Sequence, residues 1–170
     1  MNSHSPQFFM SEALRLAEKA LFTTSPNPRV GCVIVQNNEI VGRGYHVKAG
    51  ESHAEVMALE EAGSKSEGSD VYVTLEPCSH TGRTPPCVNA LIKAKVKKVF
   101  IAMQDPNPLV SGQGIQKLKE ASIEVEVGVM EAQAQQLNLG FISRMTKKLP
   151  YVRAKLAVSI DGKTALHNRS

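Results

Sequence analysis

The sequence predicts an α/β protein in which helices cover both faces of a mixed five-stranded sheet. Two apolar runs separated by the short turn Asn37–Asn38 predict an antiparallel hairpin near the start. Short apolar runs then alternate with segments whose apolar residues recur at helical spacing. This alternation is typical of a sheet sandwiched between helices. With 170 residues, 42% of them hydrophobic, the chain is long enough for one such core.

The individual elements follow from the spacing of their apolar residues. Phe9, Leu14 and Leu21 lie at helical spacing in the first helix, which a proline-rich loop separates from the hairpin. The first hairpin strand has too few polar residues for a solvated face, so we expect it inside the sheet. Ser52 is expected to cap the second helix. The predicted segments are helix 7–22, strands 30–35 and 39–45, helix 53–62, strand 70–75, helix 88–95, strand 97–103, helix 115–121, strand 123–129 and one long helix 131–145.

The pattern changes near residue 149, where a strand-like run covers 150–158 and a turn follows. We therefore predict two parts. Residues 1–148 would form a complete domain, and residues 149–170 would be the first strand of a second, truncated domain. An apolar strand without a partner would have to pack on the first domain or on a neighbouring chain.

Composition restricts the partners and the compartment. The net charge of +4 suits an anionic partner but is too small to indicate nucleic acid, and a phosphorylated small molecule explains it equally well. No apolar run reaches the roughly 18 residues of a membrane span, and no signal peptide is evident, so a cytoplasmic protein is expected. With 3 cysteines a disulfide framework is not expected. Cys32, in an apolar run, is predicted to be a buried free thiol.

The chemistry concentrates in His53-Ala-Glu55 and in a proline-rich segment that contains Cys78 and Cys87. One histidine and two cysteines make a three-ligand zinc site, and three protein ligands leave one position for water, as in catalytic zinc sites. Glu55 is close enough in sequence to carry protons for that water. His80 is excluded as a fourth ligand because it would displace the water.

These residues resemble the His-x-Glu and Pro-Cys-x-x-Cys pattern of zinc deaminases, except that eight residues rather than two separate the cysteines. That longer segment resembles one family closely, the bifunctional deaminase–reductase of riboflavin biosynthesis. The matching segments are 25–31, 44–46, 53–55, 77–87 and 105–108, and residues 155–164 resemble the opening of the reductase domain.

The resemblance implies a cytidine deaminase-like fold with one catalytic Zn²⁺ held by His53, Cys78 and Cys87. The expected reaction converts 2,5-diamino-6-ribosylamino-4(3H)-pyrimidinone 5′-phosphate to 5-amino-6-(5-phosphoribosylamino)uracil with release of ammonia, and Glu55 would move the protons. The residues that would line the substrate pocket by motif match are Asn27, His46, Arg83, Asp105 and Asn107. Arg83 or His46 would meet the phosphate.

The resemblance also implies an NADPH-dependent reductase, but only in a longer parent chain. There Ala157, with Lys155, would lie near the cofactor and the substrate. We expect no NADPH-dependent reduction by these 170 residues alone. A homo-oligomer is expected, with no nucleic-acid or membrane partner.

Several alternatives remain open. A tRNA adenosine or free cytidine deaminase shares the zinc chemistry, and a structural zinc module would be closed by a fourth ligand. Asn27 and Asp105 lie beside prolines, so either residue could serve only a turn. The Gly112-Gln-Gly114 segment lacks the third glycine of a dinucleotide loop and is interpreted as a turn.

Overall fold

A computed structural model describes residues 4–80, 85–108 and 110–164. It confirms the predicted fold class, because helices cover a mixed five-stranded sheet of order β2-β1-β3-β4-β5. The helices are α1 (Pro6–Glu18), α2 (Ala54–Ala62), α3 (Cys87–Lys93), α4 (Gln113–Glu120), α5 (Glu131–Leu137) and α6 (Leu139–Lys147). The strands are β1 (Gly31–Gln36), β2 (Glu39–Tyr45), β3 (Asp70–Val73), β4 (Lys98–Ile101) and β5 (Glu124–Val127).

The sheet has one antiparallel part and one parallel part. Strand β1 pairs antiparallel with both β2 and β3, whereas β3, β4 and β5 run parallel to one another. Alternate residues of β1 point to opposite faces. Cys32 and Ile34 pack with α2, α3 and α4 on one face, and Val33 and Val35 pack with α1 and α5 on the other. The protein therefore has three layers, and the predicted interior position of β1 is confirmed.

Helix α2 lies unusually close to β2 because two glycines of that strand face it. A Cβ atom on Gly44 would be 2.1 Å from the carbonyl oxygen of Ala54, and one on Gly42 would be 2.2 Å from that of Ala58. Real side chains do not make such contacts, so only glycine permits this spacing. The two glycines thus set the position of α2 and of the residues at its start.

Two helix predictions were wrong in detail. Helix α1 ends at Glu18 instead of continuing to residue 22. The predicted long helix 131–145 is broken at Asn138, whose φ of −119° and ψ of 22° are not helical. The buried Asn138 side chain accepts a hydrogen bond from the backbone N–H of Arg29 (2.8 Å) and donates one to the Arg29 carbonyl (3.0 Å). This long-range contact interrupts the helix although the apolar residues continue at helical spacing, so the residues around Asn138 do not predict the break.

The predicted cap of the second helix was also wrong. His53, not Ser52, is the N-cap residue of α2, and no side chain caps that end. The backbone of His53 is extended, with φ of −77° and ψ of 161°, and its imidazole is directed to two cysteines instead.

The C-terminal part of the described chain is extended and exposed. Residues 150–158 form no strand, since no described strand pairs with them. Leu156 and Ile160 are fully or almost fully exposed. The assignment of residues 149–170 to a second domain therefore stays a prediction. Within the described ranges, no helix combines the length and apolarity that a membrane crossing requires.

Candidate metal centre and active site

Three ligand atoms converge at the start of two helices. His53 precedes α2, Cys87 opens α3, and Cys78 lies in the loop that follows β3. The His53 Nδ1 atom lies 3.1 Å from Cys87 Sγ and 3.5 Å from Cys78 Sγ. The Val88 N–H donates to the Cys78 carbonyl (3.2 Å), so the backbone holds the two cysteine segments together across the intervening residues.

The geometry of this cluster fits zinc. A tetrahedral ion with Zn–S bonds of about 2.3 Å and Zn–N bonds of about 2.0 Å separates its nitrogen and sulfur ligands by roughly 3.6 Å. The distance from His53 Nδ1 to Cys78 Sγ (3.5 Å) is close to that value, the distance to Cys87 Sγ (3.1 Å) is shorter, and all three ligand atoms lie within 4.8 Å of one another. In the described part of the chain, His80 is not a member of the group. The donor set is therefore one nitrogen and two sulfurs, as expected for a zinc site with an open position.

The charges of the cluster also suit a cation. Hydrogen bonds from the Cys87 thiol and the Cys87 backbone N–H to Cys78 Sγ hold the pKa of Cys78 at about 4. The pKa of Cys87 is raised because its proton is shared with Cys78 and because the thiol is buried. The pKa of His53 is raised, mainly by its hydrogen bond to Cys78. A metal that binds here would require deprotonated sulfurs and a neutral imidazole, so metal binding would release the protons that Cys87 and His53 hold. Cys32 lies in the core as a free thiol, as predicted.

Glu55 is one of the acidic residues that line the cavity beside the metal ligands. It is only 3% exposed and lies in the first turn of α2. Burial, and secondarily the negative charge of Cys78, raise the pKa of Glu55 to about 7. A carboxyl group with such a pKa exchanges protons readily at neutral pH, which is the property a general acid–base catalyst needs.

The metal centre opens into a cavity of about 580 Å³. Four of the five predicted substrate residues line it, namely Asn27, His46, Asp105 and Asn107. The fifth, Arg83, lies outside the described residues. Ala157, predicted to approach a nicotinamide cofactor only in a longer chain, is exposed and does not line the cavity.

Asn27 and His46 form a pair on one side of the cavity. His46 Nδ1 lies 3.2 Å from the Ser52 carbonyl, and a carbonyl can only accept, so Nδ1 carries the proton of the neutral ring. His46 Nε2 then accepts from Asn27 Nδ2 at 3.1 Å. Burial lowers the pKa of His46, which favours this neutral form. The pair fixes the orientation of the Asn27 amide toward the cavity.

Asp105 and Asn107 form a second polar pair in the cavity lining. The backbone N–H of Asn107 donates to Asp105 Oδ1 at 2.8 Å, which is the side-chain turn that the Asp-Pro sequence also allowed. The pKa of Asp105 is raised by burial. The turn and the cavity lining coexist, so a turn does not exclude a binding role for Asp105.

Two residues of the site were missed from the sequence. Arg144, on α6, lines the cavity and donates a hydrogen bond to the Pro26 carbonyl, next to Asn27. Glu76, two residues before Cys78, lines the cavity and is 5% exposed. The only sequence feature that could have pointed to Glu76 is its position as a charged residue between an apolar strand and the cysteine segment. No sequence feature pointed to Arg144, which lies in a segment of ordinary helical spacing.

Comparison with known proteins agrees with this geometry. Residues 3–103 match the family described as the cytidine and deoxycytidylate deaminase zinc-binding region. The chain is 56% identical over 160 residues to the riboflavin biosynthesis protein RibD of Escherichia coli, which covers 94% of this chain and 44% of that protein. It is 52% identical over 144 residues to a diaminohydroxyphosphoribosylamino-pyrimidine deaminase of Buchnera aphidicola, covering 85% of this chain and 98% of the relative.

The same relationship holds for solved structures. RibD of Acinetobacter baumannii superposes with a TM-score of 0.91 at 55% sequence identity, over 95% of this chain and 45% of that one. The chain thus spans less than half the length of these RibD relatives, whereas it covers nearly all of the shorter Buchnera deaminase. By sequence match, fold and metal-ligand arrangement, the chain belongs to the zinc-binding cytidine and deoxycytidylate deaminase family and groups within it with the deaminase part of RibD.

Proposed function

We propose that this chain catalyses the hydrolytic deamination of 2,5-diamino-6-ribosylamino-4(3H)-pyrimidinone 5′-phosphate in riboflavin biosynthesis. The observation that carries the proposal is the buried carboxyl group of Glu55 in the cavity that His53 and Cys78 line, together with the cluster that these two residues form with Cys87. The relatives named as RibD and as a diaminohydroxyphosphoribosylamino-pyrimidine deaminase support the choice of substrate.

The protein groups account for the proton movements of this reaction. When bound by His53, Cys78 and Cys87, zinc supplies a water of low pKa at neutral pH. In the overall change, the amino-bearing ring carbon gains an oxygen from water and loses its nitrogen as ammonia. Glu55 takes one proton from the water and delivers it to the departing nitrogen, while the second proton of the water ends on the neighbouring ring nitrogen of the product.

The polar pairs on the cavity walls would orient the substrate. The Asn27 amide, fixed by His46, can donate to and accept from the edge of a pyrimidine. The Asp105 carboxylate and the Asn107 amide suit exocyclic amino groups or ribose hydroxyls. Each of these groups lines the cavity that contains Glu55.

The phosphate end of the substrate would lie toward Arg144. Of the described residues that line the cavity, Arg144 is the only lysine or arginine, and Glu51, Glu55 and Asp105 would repel a phosphate. A guanidinium group is a natural phosphate ligand because its planar donors match the phosphate oxygens.

The direct test is release of ammonia from the diaminopyrimidine nucleotide, measured with and without a zinc chelator. We expect chelation to stop the reaction and added zinc to restore it. The Glu55→Gln variant should keep its zinc and lose turnover, because glutamine cannot carry the proton. Full activity in that variant would overturn the assigned role of Glu55, and an absence of ammonia release by the zinc-loaded parent would overturn the proposed reaction.

The reductase activity named in the longer family would require further chain. Residues 150–158 are exposed and form no strand, and Ala157 and Lys155 lie among them. We therefore propose that the 170 residues do not oxidise NADPH in the presence of the deaminated product. NADPH oxidation above the protein-free rate would contradict this.

A further inference from the structure

Glu76 makes an unusual set of contacts for a carboxylate that touches no cation in the described structure. It is 5% exposed and lies between β3 and Cys78. Its Oε2 atom accepts from the backbone N–H groups of Asp105 (3.1 Å) and Gly112 (2.9 Å). Its Oε1 atom accepts from those of Gly114 (2.8 Å) and Ile115 (3.3 Å). Four backbone donors on one buried carboxylate form a strong, charge-assisted network.

The glycines of this segment are shaped for that carboxylate. Gly112 has a φ of +81°, a conformation that glycine adopts without strain. A Cβ atom on Gly114 would be 2.2 Å from the Pro77 carbonyl and 3.1 Å from Glu76 Oε1. The Gly112-Gln-Gly114 segment, interpreted from the sequence as a simple turn, is therefore a loop whose backbone binds the Glu76 carboxylate. The carboxylate also satisfies N–H groups at the start of α4, where the helix dipole favours negative charge.

The contacts of Glu76 join the two functional halves of the site. Its own backbone N–H donates to the Met103 carbonyl at 3.0 Å, and its side chain holds the backbone of Asp105 two residues further on. On the other side, Glu76 is followed by Pro77 and the metal ligand Cys78. The side chain of Glu76 thus links the loop after β4 that contains Asp105, called the substrate loop below, to the segment that contains the metal ligand Cys78.

We propose that Glu76 is a positioning residue that acts through Asp105, setting the distance and angle of the substrate loop relative to the metal centre. This inference rests on the proposed function, since it assigns Asp105 a contact with the substrate. Small errors in the placement of binding groups are costly to an enzyme. Loss of the Glu76 carboxylate therefore impairs substrate binding while the metal stays in place.

The test compares Glu76→Gln with the parent and with Glu61→Gln, a control on an exposed glutamate paired with Arg43. Glutamine presents an NH₂ group to two backbone donors, so it can satisfy only one side of the network. We expect KM for the nucleotide to rise about tenfold to a hundredfold, as for lost hydrogen bonds to a charged group, with kcat changed less than about threefold. The zinc content should equal that of the parent.

A double-mutant cycle separates positioning from general support of the fold. If Glu76 acts through Asp105, then Glu76→Gln adds little to the KM of an Asp105→Ala protein, because interacting sites are not additive. An equal KM increase in both backgrounds would overturn the proposal, and so would an unchanged KM or a loss of zinc in Glu76→Gln. Glu76→Asp, a milder change, should give an intermediate KM and serves if Glu76→Gln does not fold.

Amide hydrogen exchange tests the same contact without substrate. In the parent, the amides of Asp105, Gly112 and Gly114 should be protected, and in Glu76→Gln they should exchange faster while β3 is unaffected. If these amides exchanged at the parental rate in Glu76→Gln, the proposed hold of Glu76 on the loop would be overturned, even if the variant remained active. If the parent releases no ammonia, the proposed function fails, and the exchange result alone still supports or overturns the hold of Glu76 on the loop.

Discussion

Substitution of Gly44 by alanine tests how closely the metal centre depends on the contact between β2 and α2. The new Cβ atom would lie 2.1 Å from the Ala54 carbonyl oxygen, whereas ordinary contact begins at 3.4 Å. The helix and the strand must therefore move apart by about 1.3 Å. Overpacking of this kind costs about 1–3 kcal/mol of folding free energy. Because Ala54 stands between His53 and Glu55, the same shift displaces a metal ligand and the proton carrier.

The expected result is a lower zinc content together with a fall in ammonia release of about 100-fold or more, since a displacement near 1 Å is enough for that loss. Zinc is measured by atomic absorption, stability by thermal unfolding, and activity by ammonia release at saturating zinc. Gly140→Ala is the matched control, because a Cβ there meets nothing within 4 Å. If Gly44→Ala retained parental zinc and activity, the claim that glycine sets the position of α2 would be refuted.

Two further substitutions test the α5–α6 region. Arg144→Gln should raise KM for the phosphorylated substrate by about 10-fold or more, because it removes a charged hydrogen-bond donor. The KM for the dephosphorylated nucleoside should rise much less, since only the contact with the Pro26 carbonyl is then lost. Lys147→Gln, on the same helix but away from the cavity, is the control, and an equal effect on both substrates would contradict a phosphate role. Asn138→Ala should lower the free energy of unfolding by about 1–3 kcal/mol, because it removes the side-chain partner of the partly buried backbone N–H and C=O groups of Arg29. Denaturant unfolding measures this, with exposed Gln136→Ala as control, and equal stability of the two variants would contradict the helix-break explanation.

The fold class could be predicted because its signals, the hairpin turn and the apolar runs, each occupy a few consecutive residues. The metal triad joins residues up to 34 positions apart, but it could be predicted because histidine and cysteine are recognisable as metal ligands from their residue type alone. The substrate candidates Asn27, His46, Asp105 and Asn107 came from resemblance, and the structure places them around one cavity without testing their roles.

What could not be predicted depends on pairs that are far apart in the chain. Asn138 breaks a helix because Arg29, 109 residues earlier, offers both backbone groups to its amide. Glu76 gains its role from N–H groups 29 to 39 residues later. The spacing of apolar residues and of glycines carries no information about such distant partners. The sequence therefore predicted a continuous helix across Asn138 and an ordinary glycine turn at Gly112-Gln-Gly114.

The orientation of β1 explains why the separate segments of the site meet. Strands β3 and β4 are parallel, so the loops after them, which carry Cys78 and Asp105, leave the same edge of the sheet. Strand β1 runs antiparallel to β3, with Cys32 opposite Val73, and the residues before β1 therefore lie at that same edge.

The hairpin completes the arrangement, because Gly31 at the start of β1 pairs with Tyr45 at the end of β2. Asn27 before β1 and His46 after β2 are thereby brought to the edge that carries Cys78. Had β1 been parallel to β3, both residues would lie at the opposite edge, more than a strand length from the metal. The turn at Asn37 makes the hairpin predictable, but only the pairing of β1 with β3 decides which edge Asn27 and His46 occupy, and that pairing leaves no mark in the local sequence.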